Sequence, residues 1–375
     1  MPLFLTEEQQ MLADTAKDFV AEHAPVGHMR ALRDTKDAAG FSRDLWKQFA
    51  EMGFTGILIG EDQGGIGLGH VEAGVVLEEI GRNLSPSPFL TTAVAAVAAL
   101  KGTGAAERWF PGIIAGETVA ALAIDEKAKH GTGIAMKAER SGNGFKLSGT
   151  KQFVTHGHVA DLILVAARTA GSVADKDGIT LFAVPADAAG LTNEAQRLTD
   201  ASLASRMTFD GVEVDADAVV GEVDAGSAPL ARLLAAGRTG AAAEMLGVGG
   251  GAMDMTMGYL KERKQFGLEI GRFQALQHRA AHLYCEMEVA RAAVLKAQQL
   301  LDAGDAGAEE AVSIAKAMTG MTTTLSVQEG VQMHGGIGMT DEHNIGFYMK
   351  RARVLAEMFG DSGYHANLLA VAAGY

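Results

Sequence analysis

The chain has 375 residues, 48% of them hydrophobic, enough for two or three domains with real cores. A formal charge of −14 and the lack of Lys/Arg blocks exclude nucleic acid or an anionic membrane surface as the main partner. One cysteine, Cys285, excludes an internal disulfide and a cysteine-rich metal site, in keeping with a reducing cytoplasm.

The first residues, MPLFLTEEQQML, lack a basic segment followed by an apolar one, so no secretion signal is read and the expected location is cytoplasmic. TEEQQMLADTAKDFVAEHA (6–24) places Leu12, Ala16, Phe19 and Val20 on one helical stripe, with Thr6 as N-cap. DLWKQFAEMG (44–53) is a second amphipathic helix closed by a glycine, and EDQGGIGLGH (61–70) is a loop feeding the helix VEAGVVLEEIGRN. FLTTAVAAVAAL (89–100) is too short and alanine-rich to span a bilayer and reads as a packed helix. GGIGLG (64–69) has neither a preceding strand nor a following βαβ unit, which excludes a dinucleotide fingerprint.

After residue 118 the pattern changes. VAALAI, GFKLSGTKQFVTHG, DLILVAAR, GITLFAVP, SRMTFDGVEV and DAVVGE are short β-rich runs between Gly, Asp and Asn turns. Helical periodicity returns over 230–264, 273–303, 308–334 and 341–358, long segments with short connections that predict an antiparallel bundle. The expected fold is multi-domain α and β: an all-α domain over 1–117, an antiparallel β-barrel or sheet domain over 118–223, and a C-terminal four-helix-bundle domain over 224–375.

Four stretches carry a resemblance in the same order: WFPGIIAGETVAALAIDE (109–126), LSGTKQFVTHGHVADLILVAAR (147–168), YLKERKQFGLEIGRFQALQHRAAHL (259–283) and QMHGGIGMTDEHNIGFYMKRA (332–352). Together they resemble the acyl-CoA dehydrogenase family of flavoproteins, over essentially the whole chain. The resemblance implies FAD as cofactor, an acyl-CoA substrate, electron-transfer flavoprotein as electron acceptor, and a homodimer, homotetramer or heterotetramer with a sister chain. It implies a flavin-facing Thr155, with Phe153 in place of a commoner tryptophan. Arg263, Phe266 and Gln274 match residues at the FAD pyrophosphate and adenosine end, and Gln332, Gly335 and Gly336 a segment reached across a subunit interface. Arginine forks suit phosphate oxygens and glycines admit a bulky ligand to the backbone. Read singly, Arg263 is a solvated helix residue, the glycines a helix C-cap and Thr155 a strand threonine.

The family reaction uses a carboxylate to take the α-proton of the thioester. Aligned on Gly360, the usual base position in LAEMFGDSGYHANLLAVA (355–372) holds Phe359, and the alternative position, just before Arg238, holds Gly237. Two helical turns past Gly237 stands Glu244, the only charge between Arg238 and Asp254. A small-residue face of Gly237, Gly240 or Ala241, Glu244, and Gly247 or Val248 would look into a cleft, with Gly247, Gly249, Gly250 and Gly251 making room and Glu244 raised toward neutrality. Glu244 is therefore the expected base and Asp361 its competitor, while Glu357 and His365 are expected on helix exteriors. Gly237, Arg238, Asp125 and Phe359 are the expected substrate contacts; Asp125, in AIDEKAKHGTG (123–133), replaces a family threonine in a turn that is charged here. The glycine room points to a branched, cyclic or steroid-like acyl group. No histidine spacing suggests a metal. Two other functions fit the same scaffold: a non-catalytic subunit completing the flavin site of a sister chain, and a flavin monooxygenase or acyl-CoA-binding protein.

Overall fold

A computed structural model describes residues 2–128, 130–131 and 133–375. In chain order the helices are α1 (Glu7–His23), α2 (Val26–Asp34), α3 (Arg43–Glu51), α4 (His70–Arg82), a π-helical stretch Leu90–Ala96 running into α5 (Val97–Leu100), and α6 (Ala105–Ile114). Strands β1 (Ala120–Ala123), β2 (Lys137–Ser141), β3 (Gly144–Thr155), β4 (Leu162–Arg168), β5 (Ile179–Pro185), β6 (Leu191–Arg197) and β7 (Leu203–Val214) follow. Then come α7 (Ser227–Glu262), the short strands β8 (Lys264–Gln265) and β9 (Leu268–Glu269), α8 (Gln274–Asp302), α9 (Ala308–His334), α10 (Ile345–Glu357) and α11 (Ser362–Ala372). No described helix is long and apolar enough to cross a membrane.

The chain divides into two compact units, residues 36–68 with 87–237, and residues 1–35 with 69–86 and 238–375. The first is built on a seven-stranded sheet in the order β1-β4-β2-β3-β7-β6, with β5 paired to β4. The sheet is mixed rather than wholly antiparallel: β1 runs parallel to β4, Ala120 opposite Leu162. A parallel neighbour needs a crossover, and the β2–β3 hairpin supplies it. Aromatic and aliphatic residues, Phe145, Phe182, Phe209, Val154 and Met207 among them, form its core. DAVVGE makes only an isolated bridge, Phe182 to Val219, after a short 3₁₀ turn.

The second unit is helical. Thr6 caps α1 as expected, its hydroxyl accepting from Gln9 N at 3.2 Å while Gln9 Oε1 accepts from Thr6 N at 3.0 Å. Within α7 every residue from Thr239 to Gly249 is buried, so this stretch is wrapped on all sides. Its neighbours approach closely at glycines. A Cβ on Gly81 of α4 would overlap the Glu244 carbonyl oxygen, and one on Gly247 would overlap that of Glu78. Thr323 and Ser326 of α9 donate to the Met245 and Gly249 carbonyls at 2.9 and 2.8 Å.

Candidate functional site

In the sheet unit, the register between β3 and β7 slips between Lys151 and Val154. Lys151 faces Met207 and Val154 faces Ser205, so Gln152 and Phe153 oppose one residue in a β-bulge. Phe153 sits at φ 55° and is 51% exposed. A bulky residue in the left-handed region is held there at a cost of roughly 1–3 kcal/mol, a strain that clusters where ligands bind. Thr155, two residues on, is half-buried and pairs with Ala204.

The loop beside this bulge is anchored by a carboxylate that sequence reasoning passed over. Glu126 accepts from Lys151 Nζ at 2.8 Å and from the amides of Met136 and Ala135 at 2.9 and 3.0 Å. Burial alone would raise its pKa, but Lys151 and the amides outweigh it and hold the carboxyl below the usual range. Asp125 behaves oppositely: loss of hydration pushes its carboxyl up against the pull of His130 and Lys151. Lys129 and Thr132 of the charged turn lie outside the described residues.

In the helical unit, β8 and β9 form a tight hairpin whose central residues, Phe266 (φ 54°) and Gly267 (φ 79°), are both left-handed, as a type I′ turn requires. Phe266 is 91% exposed, its ring edge-on to Phe273 with centroids 6.2 Å apart. Arg263 is exposed and has no carboxylate partner among the described residues. Gln274 opens α8, whose N-cap, Phe273, makes no side-chain hydrogen bond; its carbonyl takes the Leu276 and Gln277 amides at 3.0 and 3.2 Å, which leaves the two amides before them for a negative ligand. At the far end of α9, Gln332 is exposed and Gly335 adopts φ 65°, ψ −141°. Cβ atoms built on Gly335 and Gly336 would meet nothing within 4 Å, so this is bare backbone facing open space.

Glu244 lies in α7, 3% exposed. Arg351 of α10 donates to its Oε1 from Nε at 2.9 Å and Nη2 at 2.5 Å. Both bonds converge on that oxygen. The glycines around it do not open a cleft, contrary to expectation. Gly247 is filled by the α4 backbone, Gly249 by Met287, Gly250 by the Arg82 guanidinium, and Gly251 by the Arg82 carbonyl and Tyr348. They bring helices together, so they no longer argue for a bulky acyl group.

The turn after α10 is bound from three sides. Phe359 is left-handed at φ 60°, and its carbonyl accepts from Arg238 Nε at 3.2 Å and lies 3.2 Å from His365 Nε2. Lys316 Nζ donates to the Ala356 and Gly360 carbonyls, both at 2.9 Å. Burial pulls the Arg238 guanidinium below its usual range, and its charge stacks on Tyr364, 5.8 Å from the ring centroid. Asp361 N-caps α11, accepting from Tyr364 N at 2.6 Å. Gly237 is buried. Glu357 is exposed as expected, but His365 is fully buried rather than external.

Comparison with known proteins decides what these pieces belong to. Residues 6–117, 125–212 and 224–374 match the N-terminal, middle and C-terminal domains of acyl-CoA dehydrogenases. The chain belongs to the acyl-CoA dehydrogenase family. It is 32% identical over 362 residues to the acyl-CoA dehydrogenase FadE12 of Mycobacterium tuberculosis, covering 93% of this chain and 91% of that one. Among solved structures, a Tcur3481-Tcur3483 steroid ACAD variant is 31% identical with a TM-score of 0.88 over 98% of both chains. The ChsE4-ChsE5 complex of Mycobacterium tuberculosis is 27% identical with a TM-score of 0.89 over 100% of both. This acyl-CoA dehydrogenase is thus an oxidoreductase of a generally FAD-dependent family that dehydrogenates acyl-CoA, with an N-terminal helical, a middle sheet and a C-terminal helical domain.

Proposed function

We propose that this chain binds FAD and dehydrogenates an acyl-CoA thioester at its α and β carbons, giving the trans-2-enoyl-CoA. The observation that carries the cofactor assignment is the display of Phe153 and Phe266, two aromatics held in left-handed conformations while 51% and 91% exposed. Phe153 would lie against the flavin ring and the Thr155 hydroxyl would bond near N5. Arg263, with the free amides at the start of α8 and Gln274, would take the pyrophosphate and adenosine end. Gln332 and the bare backbone at Gly335 and Gly336 fit a cofactor held by a neighbouring subunit. When bound, the flavin accepts the hydride leaving the β-carbon.

For the α-proton we propose Glu244. Arg351 fixes Oε1 with two converging hydrogen bonds, which would orient the carboxylate for the proton transfer. Phe359 and Gly237, at the two base positions the family uses, cannot act. Arg238, Phe359 and Asp125 are the proposed contacts to the thioester substrate, and electron-transfer flavoprotein the proposed acceptor of the electrons.

The same ion pair favours a second reading. Arg351 already engages the Glu244 carboxylate, so the base could instead belong to a sister chain whose flavin site this one completes; the heteromeric ChsE4-ChsE5 complex shares the fold. Purifying the chain alone and recording its visible spectrum separates the two. About one flavin per chain that bleaches anaerobically with acyl-CoA supports the first reading, and Glu244→Gln is then expected to slow bleaching about 10²–10⁴-fold with flavin still bound. Bleaching at the wild-type rate in that variant removes Glu244 from the chemistry. A colourless protein moves the assignment to the heteromer.

A further inference from the structure

Lys151 is 0% exposed, a rare position for a lysine. Its ammonium reaches two groups of one short segment, the Ile124 carbonyl at 3.0 Å and Glu126 Oε1 at 2.8 Å. The next residue repeats the link. Gln152 N donates to the Asp125 carbonyl at 2.8 Å, and Gln152 Nε2 to the Glu126 carbonyl at 3.2 Å. Residues 124–126 are thereby strapped to β3 at residues 151–152, where the bulge that displays Phe153 begins.

The bulge breaks the β3–β7 ladder at this point, so the sheet alone does not fix the Phe153 backbone. A methionine would fill the lysine's space at little cost in packing, whereas a buried ammonium must be desolvated. What the charge adds is direction: it names two acceptors and holds a third residue, Asp125, between them. We infer that Lys151, with Glu126 as its counter-ion, is a positioning residue for the flavin-facing bulge, and that it couples the geometry of Phe153 and Thr155 to that of the Asp125 loop. This rests on the flavin reading proposed above.

The test is to titrate FAD into flavin-free wild type, Lys151→Met and Glu126→Gln, following flavin fluorescence and the shape of the bound absorption band. Amide hydrogen exchange over residues 124–126 and 152–155 is measured alongside. With far-UV spectra unchanged, each variant is expected to bind FAD about tenfold or more weakly, to show a band moved toward that of free flavin, and to exchange faster at both segments. A merely structural lysine would lower the unfolding midpoint without moving the band of the flavin that remains bound. Wild-type affinity, band shape and exchange in folded Lys151→Met overturn the inference. If Lys151→Met does not fold, Glu126→Gln decides alone, since it keeps the volume and one acceptor oxygen for the Lys151 ammonium while removing the charge and the acceptor at the other position. Wild type that takes up no FAD overturns the flavin reading and this inference with it, an outcome distinct from equal binding by all three.

Discussion

At Lys316 the consequences of burial can be worked out on one side chain. It is fully buried in α9, its donors shared between the Ala356 and Gly360 carbonyls, and burial pushes its pKa down to about 7 against the attraction of Asp361 and Glu357 and with Arg238 nearby. In the unfolded chain it titrates as an ordinary lysine. Below pH 7 the ammonium is charged in both states and the folded protein bears the full cost of burying it. Between about 7 and about 10.4 the unfolded chain holds the proton and the folded one does not, so stability rises with pH, by up to about 1.4 kcal/mol per unit. The neutral amine still offers two N–H groups to its two acceptors. Urea unfolding of wild type and Lys316→Met across pH 6 to 10 is expected to show the difference between them shifting toward wild type as pH rises; a constant difference would refute the depressed pKa. Neither this lysine nor Lys151 was legible in the sequence, because a lysine destined for burial carries no local mark. Glu244 was conspicuous for the opposite reason, a lone charge in an apolar run, although its partner Arg351 lies too far along the chain to be paired with it by spacing.

Among elements, the packing of α4 against α7 shows how a pattern can be seen and misread. The glycines of GVGGG are plain in the sequence, and their use to admit a neighbour is the right physics, but the neighbour is another helix. Gly81 and Gly247 let the two backbones approach until carbonyl oxygens sit where side chains would begin. Gly247→Ala must force α4 away, and a loss of about 3 kcal/mol is expected from overpacking of this kind. Gly258, on the same helix with nothing within 4 Å of a built Cβ, is the control. Gly258→Ala is expected to gain up to about 1 kcal/mol. Thermal unfolding of both variants gives the answer, and equal shifts would mean that the α4–α7 contact is not the constraint. Strand β6 escaped notice because LTNEAQR is an exposed edge with no apolar alternation, and β1 and β4 were both found but their parallel pairing was not, since pairing direction depends on a connection that local pattern does not encode.

For the whole molecule, the domain order was the most legible feature, because each domain is written in one continuous stretch of chain. The residues proposed to hold the cofactor are another matter, since their exposure is not explained by the packing of the chain itself. Phe266 is the clearest case: 91% exposed, left-handed and edge-on to Phe273. Phe266→Asn, a residue that tolerates the same backbone conformation, is therefore expected to leave the unfolding midpoint of the flavin-free protein within the range of surface substitutions, about ±0.5 kcal/mol. A ligand that binds only the folded state stabilises it by RT ln(1 + [L]/Kd), about 2.7 kcal/mol at a hundredfold excess over Kd. Adding FAD should accordingly raise the wild-type midpoint, and at the same FAD concentration Phe266→Asn should lose much of that rise while its flavin-free midpoint stays put. A variant that unfolds early without FAD would make Phe266 a structural residue. One that gains as much from FAD as wild type would remove it from the cofactor site and leave Arg263 and the free amides of α8 to hold the pyrophosphate without an aromatic beside them.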